Sequence, residues 1–243
     1  MNKPVLTDRT TPRTSDPRLG RAAGALGVVL LLLVVFTIDG GPMFTDASNA
    51  EIVRWVHGHE TSLYVSGYLE GLAMLLNAAF LGALIWRARV GGTIVAAAYG
   101  LIGASVAIDM VNVGAQYALG KGVDRDLGDG AVLGLFSFAE QLTFTDGVTW
   151  GLAIAVASIA SLRARTLPRP ICWLGLVVAG LHLVGIPLQL AWTGTAEGGM
   201  GPISTTALLL WWLATSLTLL IRPGRAATIG DTTVGDGTAA LAD

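Results

Sequence analysis

Six long apolar blocks dominate the sequence, at 22–38, 63–86, 93–118, 139–162, 171–193 and 203–221, each at least 17 residues in length. At about 1.5 Å per helical residue, blocks of this length match the roughly 30 Å hydrocarbon core of a bilayer. They are too numerous to hide inside a water-soluble domain. Only 13% of the 243 residues are charged and 53% are hydrophobic, whereas about a quarter of an ordinary soluble chain is charged. Hydrocarbon offers the backbone no partners, and no block shows the period-two alternation of a barrel strand. The expected fold class is therefore all-α, a polytopic transmembrane bundle of six spans.

The first block follows a long basic lead with no small-residue cleavage motif directly after it, so it is read as a retained span rather than a signal peptide. Orientation follows from the basic residues. With the N-terminus in the cytoplasm, the inner segments hold 12 of the 15 Lys and Arg, and the outer segments only Arg54, Lys121 and Arg125. Lys and Arg set topology, so both termini are expected to be cytoplasmic. Residues 1–20 and 223–243 lack periodic hydrophobics and read as disordered cytoplasmic tails around one domain, 21–222. The net charge of −2 provides no basic surface for nucleic acid. The first partner is the lipid bilayer. The single cysteine, Cys172, excludes an intramolecular disulfide and reads as a packing residue.

Two outer segments carry local signals. "SNAEIVRWVHGHETS" opens with Ser48 and Glu51 at capping-box spacing, which predicts a short helix at the interface. "GKGVDRDLGDG" reads as a polar, Gly-rich loop, and "AVLGLFSF" after it as a separate interfacial helix, because the run 131–162 is long for one span. "HGHE" (57–60) resembles a metal fragment, yet histidines two apart point away from each other on a helix, and no third ligand follows. No phosphate loop, Gly-x-Ser-x-Gly elbow or His-Glu-x-x-His is present. These motifs assign no metal site, and any cofactor stays unknown from sequence.

The chemistry lies in polar residues inside the apolar blocks. Ser105, Asp109, Asn112 and Gln116 are spaced 4, 3 and 4, one face of a helix. Glu70 shares a face with Ser66 and Asn77, and His182 with Gly185 and Gln189. Glu140 and Asp146, six apart, cannot both aim at one partner. No Lys or Arg lies in any span to neutralise these acids. Counted from Tyr117, Asp109 lies eight residues deep, in the outward half. Pro187 removes one N–H and is expected to kink the helix, freeing the carbonyl of Leu183 beside His182.

A faint duplication is visible. Glu70 opens a hairpin turning at "RAR" (87–89) and returning past Asp109; Glu140 opens another turning at "RAR" (163–165) and returning past His182. Gly67/Gly71 and Gly147/Gly151 have the Gly-x-x-x-Gly spacing of close helix contacts, although 32 glycines produce several such pairs by chance.

In "WGLAIAVASIASLRARTLPRPICWLGLVVAGLHLVG" (150–185), the charged turn followed by "LPR", then "LG" and "AG", resembles an uncharacterised family of bacterial six-span membrane proteins, a domain of unknown function. The resemblance implies the six-helix layout and a bacterial plasma membrane, crossed several times, but no activity and no site residues.

Three functions are compatible with these residues. The first is binding or transport of a small ligand or cation in an outward-facing polar cavity lined by Glu70, Asp109, Asn112, Glu140 and His182. The second is a membrane-embedded hydrolase in which the acids and His182 hold a metal that activates water. The third is a non-catalytic membrane partner or signalling subunit whose polar stripes hold helices together. The orientation has a direct check. In a Cys172→Ser background, a cysteine at position 124 should react with an impermeant thiol reagent on intact cells, and one at position 166 only after permeabilisation; the reverse pattern would invert the topology.

Overall fold

A computed structural model of the chain describes residues 17–37, 45–89, 91–123, 127–193 and 200–222. They form α1 (Pro17–Thr37), α2 (Asn49–Gly58), α3 (Glu60–Ala88), α4 (Thr93–Val123), α5 (Asp129–Ala164), α6 (Arg169–Gly180), α7 (Ile186–Thr193) and α8 (Met200–Ile221). A π turn, Leu181–Gly185, joins α6 to α7 into one span. Six stretches are long and apolar enough to cross a membrane, one each in α1, α3, α4, α5 and α8 and one running through α6 and α7. The protein is an all-α six-span bundle. Its outer surface is apolar, with Leu72, Leu75, Trp86, Val177, Val184 and Leu188 all exposed, as a lipid-facing wall requires.

Several limits differ from the sequence reading. Residues 17–20, assigned to the N-terminal tail, begin α1, and the remainder of both tails lies outside the described residues. Most of the polar loop at 120–130 is helical, because α4 runs on to Val123 and α5 starts at Asp129, leaving 124–126 outside the described residues. "AVLGLFSF" is not a separate helix but the start of α5, which is continuous over 36 residues. No proline interrupts it, and Val132 and Phe136 bury one face against Val56, Leu63 and Leu119. At about 54 Å, α5 exceeds the hydrocarbon thickness and must project beyond it or tilt.

The short helix predicted from Ser48 and Glu51 is present as α2. The Ser48 N–H donates to Glu51 Oε2 (2.8 Å) and the Glu51 N–H to Ser48 Oγ (3.4 Å), completing the capping box. The Ser48 hydroxyl and amide bonds hold the exposed Glu51 carboxyl below its ordinary range. Trp55 stacks on His59 (4.6 Å between centroids), and His59 Nδ1 donates to the Trp55 carbonyl at 2.7 Å. His57 belongs to α2 while His59 caps α3, with its Nδ1 committed to the Trp55 carbonyl.

The spanning helices pack in a closed circuit, α1 on α3, α3 on α4, α4 on α5, α5 on α6, α6 on α8 and α8 on α1, and α3 also touches α5. Within the described residues the backbones of α1 and α5, and of α3 and α8, do not approach closely. The circuit is therefore divided into a tight triangle of α3, α4 and α5 and a wider ring of α1, α3, α5, α6 and α8. Toward the basic-rich end the wider ring is filled by Phe80, Leu81, Leu84, Ile154, Trp211 and Leu219, with Phe80 edge-on to Trp211 at 6.3 Å.

Small residues set how close the helices lie. A Cβ at Gly175 would meet Ser158 Oγ and come 2.5 Å from Trp211 Nε1, and one at Gly27 would meet Ser216 Oγ and lie 2.9 Å from the Phe80 ring. A hydroxyl can turn aside, but a buried indole cannot. Gly175→Ala is accordingly expected to destabilise the bundle by about 1–3 kcal/mol through overpacking, measured by unfolding in detergent. Gly103→Ala, where a Cβ meets nothing within 4 Å, should be neutral or slightly stabilising.

Candidate functional site

At the end that carries α2, the wider ring encloses a cavity of about 370 Å³. On α3, Ser66, Glu70, Met74 and Asn77 recur every three or four residues, so one helix face is presented to it. Thr143, Asp146, Gly147, Trp150 and Ile154 of α5 form the facing wall. Gln116 enters from α4, His182 from the π turn, Leu30 and Val34 from α1, and Leu208 and Trp212 from α8, while Trp55 of α2 stands at the rim. The polar groups cluster between α3 and α5, and the remaining lining is aliphatic and indole.

The α4 stripe supplies the hydrogen bonds behind that wall. Ser105, Asp109, Asn112 and Gln116 are all buried, as their spacing predicts for a face turned from lipid. Gln116 Nε2 donates to Glu70 Oε2 at 2.5 Å. The Ser105 hydroxyl donates to Asp146 Oδ1 and accepts from Thr149 Oγ1 at 3.0 Å. Asn112 Nδ2 donates to Thr143 Oγ1 at 3.1 Å, while Thr143 itself donates to the Ala139 carbonyl at 3.0 Å. One face of α4 thus binds α3 through Gln116 and α5 through Ser105 and Asn112.

Asp109 sits within the triangle, behind the cavity wall. It is 1% exposed, and its Oδ2 has no hydrogen-bond partner. The α4 face that carries Asp109 also carries Ser105, bonded to Asp146, and Gln116, bonded to Glu70, so the three acids share one region of the triangle. The helix extends to Val123, so Asp109 is about 18 Å from Lys121 along α4, deeper than the count from Tyr117 implies.

His182 reaches the cavity because the chain around it is unusual. Instead of the simple kink expected from Pro187, the helix widens into a π turn in which the Ile186 N–H donates to the Leu181 carbonyl. The extra residue per turn accommodates the missing N–H and the ring of Pro187. Gly151 receives this turn: a Cβ there would lie 3.0 Å from His182 Cβ and 3.2 Å from Leu183 Cγ, and one at Gly147 would lie 3.9 Å from His182 Cδ2. His182 Nδ1 is 2.9 Å from the Val178 carbonyl. A carbonyl only accepts, so Nδ1 carries the proton, and in the neutral ring Nε2 keeps its lone pair.

Of the residues singled out from sequence, Glu70 and His182 line the cavity, Asn112 and Asp109 stand behind its wall, and Glu140 is half-buried on α5 and outside the lining. Asp146, Thr143, Trp150 and Trp212 complete the site. A structural register explains why Asp146 and not Glu140 faces Glu70. Both α3 and α5 end on a left-handed arginine, Arg89 (φ 48°) and Arg165 (φ 52°), and Glu70 and Asp146 each lie nineteen residues before it. Gly71 and Gly147 match in the same register. Among the described residues no three of His, Cys, Asp and Glu converge on a position that could hold a metal ion.

Replacing Asn112 by Leu removes one interhelical bond but leaves Thr143 its own acceptor. Asn112→Leu should therefore lower unfolding stability only modestly, by about 0.5–1.5 kcal/mol, in a detergent unfolding titration, with no change in the helical circular dichroism of the folded state. No protein-family model, curated protein or solved structure matches the chain.

Proposed function

We propose that this protein is a bacterial plasma-membrane protein that binds a small cationic ligand in an outward-facing cavity, as a carrier or a ligand-responsive bundle. The observation that carries this reading is the pairing of Glu70 and Asp146 across a 370 Å³ cavity in spans that contain no Lys or Arg beyond the helix ends. Carboxylates removed from water seek compensation, and a cationic ligand supplies it where the protein does not. The distribution of basic residues supports an outward orientation of the cavity end. The hydrogen bonds of the α4 stripe favour a second reading, in which the polar residues only hold α3, α4 and α5 together.

Accessibility separates the two. In a Cys172→Ser background, cysteines at positions 66 and 146 should react with an impermeant thiol reagent from outside, whereas one at position 80, beneath the cavity, should not. If 66 and 146 stay unreactive while 124 reacts, the cavity is closed to the outside and the helix-packing role stands instead.

A further inference from the structure

Resting on that cavity-binding reading, we infer that the ligand is an organic ammonium ion with an aromatic or aliphatic body, rather than a bare inorganic cation. The inference starts from the polar groups of α3 and α5 that line the cavity, where Glu70 and Asp146 keep open acceptor sites; the same lining also holds two indole N–H donors, of Trp150 and Trp212, that are buried without a partner. Glu70 receives one bond, from Gln116, and Asp146 is bonded at Oδ1 by Ser105 and, at 3.5 Å, by the Thr149 hydroxyl. Each carboxylate has capacity for about four such bonds, so both keep acceptor sites. His182 directs its N–H to Val178, leaving an acceptor at Nε2.

Asn77 provides an independent observation. It lines the cavity, is only 4% exposed, and its Oδ1 has no hydrogen-bond partner. A buried amide oxygen without a donor costs roughly 1–3 kcal/mol, and among the several buried polar atoms that lack a partner Asn77 Oδ1 is the acceptor that belongs to the cavity lining. The donor it lacks can arrive with a ligand. An ammonium group offers three donors, no acceptor and a positive charge, which complements Asn77 Oδ1 together with the carboxylates of Glu70 and Asp146.

Size and wall chemistry select the rest of the molecule. The volume of about 370 Å³ equals roughly a dozen water molecules, far more than one dehydrated metal ion fills, and it lies in the range of small-molecule sites. Trp55, Trp150 and Trp212 line it with Met74 and Leu208. Indole faces attract cations and bury hydrocarbon equally well. The polar wall between α3 and α5 takes the ammonium head, and the indole and aliphatic wall takes the body.

The test uses the full-length protein in zwitterionic-lipid nanodiscs, with empty nanodiscs as the blank for partitioning. Binding is read from tryptophan fluorescence and from the shift in thermal unfolding. The probes are phenethylammonium, its neutral analogue phenethyl alcohol, the anion hydrocinnamate, and sodium and potassium ions. Phenethylammonium should bind saturably, and the alcohol and the anion about tenfold or more weakly. Glu70→Gln, which keeps an acceptor for Gln116, and Asn77→Leu should each weaken phenethylammonium about tenfold. Equal binding of the alcohol, or tighter binding of hydrocinnamate, overturns the inference. Sodium or potassium binding that Glu70→Gln abolishes, with no response to phenethylammonium, overturns the organic class while leaving the cation-binding reading intact. No response to any probe also overturns the inference, and thiol accessibility then decides the wider reading separately. Should either variant fold poorly, the probe series on the wild-type protein decides alone.

Discussion

Glu70, Asp109 and Asp146 occupy one region of a bundle whose spans offer no basic side chain there, and the arrangement of the remaining polar residues follows from that. An acid at the centre of a bilayer costs about 2.5–3.5 kcal/mol even on the most lenient scale. Hydrogen bonds from other groups, or access to water, lower that cost. The α4 stripe supplies hydrogen bonds to two of the three, through Gln116 to Glu70 and Ser105 to Asp146, whereas Asp109, on the stripe itself, keeps Oδ2 without a partner. Since each of these bonds crosses from α4 to a different neighbour, bonding Glu70 and Asp146 also fixes the triangle of α3, α4 and α5. The wider ring on the other side of the α3–α5 contact has no such stripe, and there the helices part to leave the cavity.

The second determinant is absent side chains. In lipid, apolar helices gain little from hydrophobic exclusion, so association relies on close van der Waals contact. Gly67 and Gly71 lie against α4, where a Cβ would be 3.4 Å from Gln116 Oε1 and from Met110 Cε respectively, and Gly147 and Gly151 lie against the π turn. The first pair brings α4 near enough for Gln116 to reach Glu70. The second brings His182 to the face that carries Asp146. Glycine positions on two helices therefore set the geometry of three polar side chains, although none of the glycines has any polar group of its own to contribute.

Much of this was legible in the sequence. Apolar block length determined the number of spans, and the spacing of Ser105, Asp109, Asn112 and Gln116 determined that one α4 face is buried. Ser48 and Glu51 announced the cap of α2. The limits were less legible, because a helix may continue through polar text when its apolar positions find partners, as Val132 and Phe136 do with Val56 and Leu63. The choice between Glu140 and Asp146 was not legible from hydropathy, since both are acids near the outer half of one helix. It becomes so only when counted back from the left-handed arginines that end α3 and α5, a backbone property that "RAR" alone does not disclose. Trp150 and Trp212 have no sequence signal that separates them from other apolar wall residues. The π turn is foreshadowed by Pro187, but proline permits a kink or a widened turn, and the contact with Gly151 favours the second.

The two ends of the wider ring differ in a way that bears on whether a bound ligand could pass through. The cavity lies at the α2 end, and below it Phe80, Leu81 and Trp211 are 0% exposed, with Phe80 edge-on to Trp211 and the Ser158 and Ser216 hydroxyls close to the glycines these rings cover. A ligand that only binds needs no more than this. Passage requires Phe80 and Trp211 to separate, and both are held by close contacts, Phe80 over Gly27 and Trp211 over Gly175. Rigid helices so seated cannot part gradually; they either keep the contact or exchange it for another. The element best suited to such an exchange is the π turn, where the backbone register is already shifted by one residue and an adjacent proline leaves one carbonyl without its helical donor. Movement there would shift His182, a cavity-lining side chain, together with α7, so that on the proposed reading occupancy of the site and the opening of its floor would act on the same span.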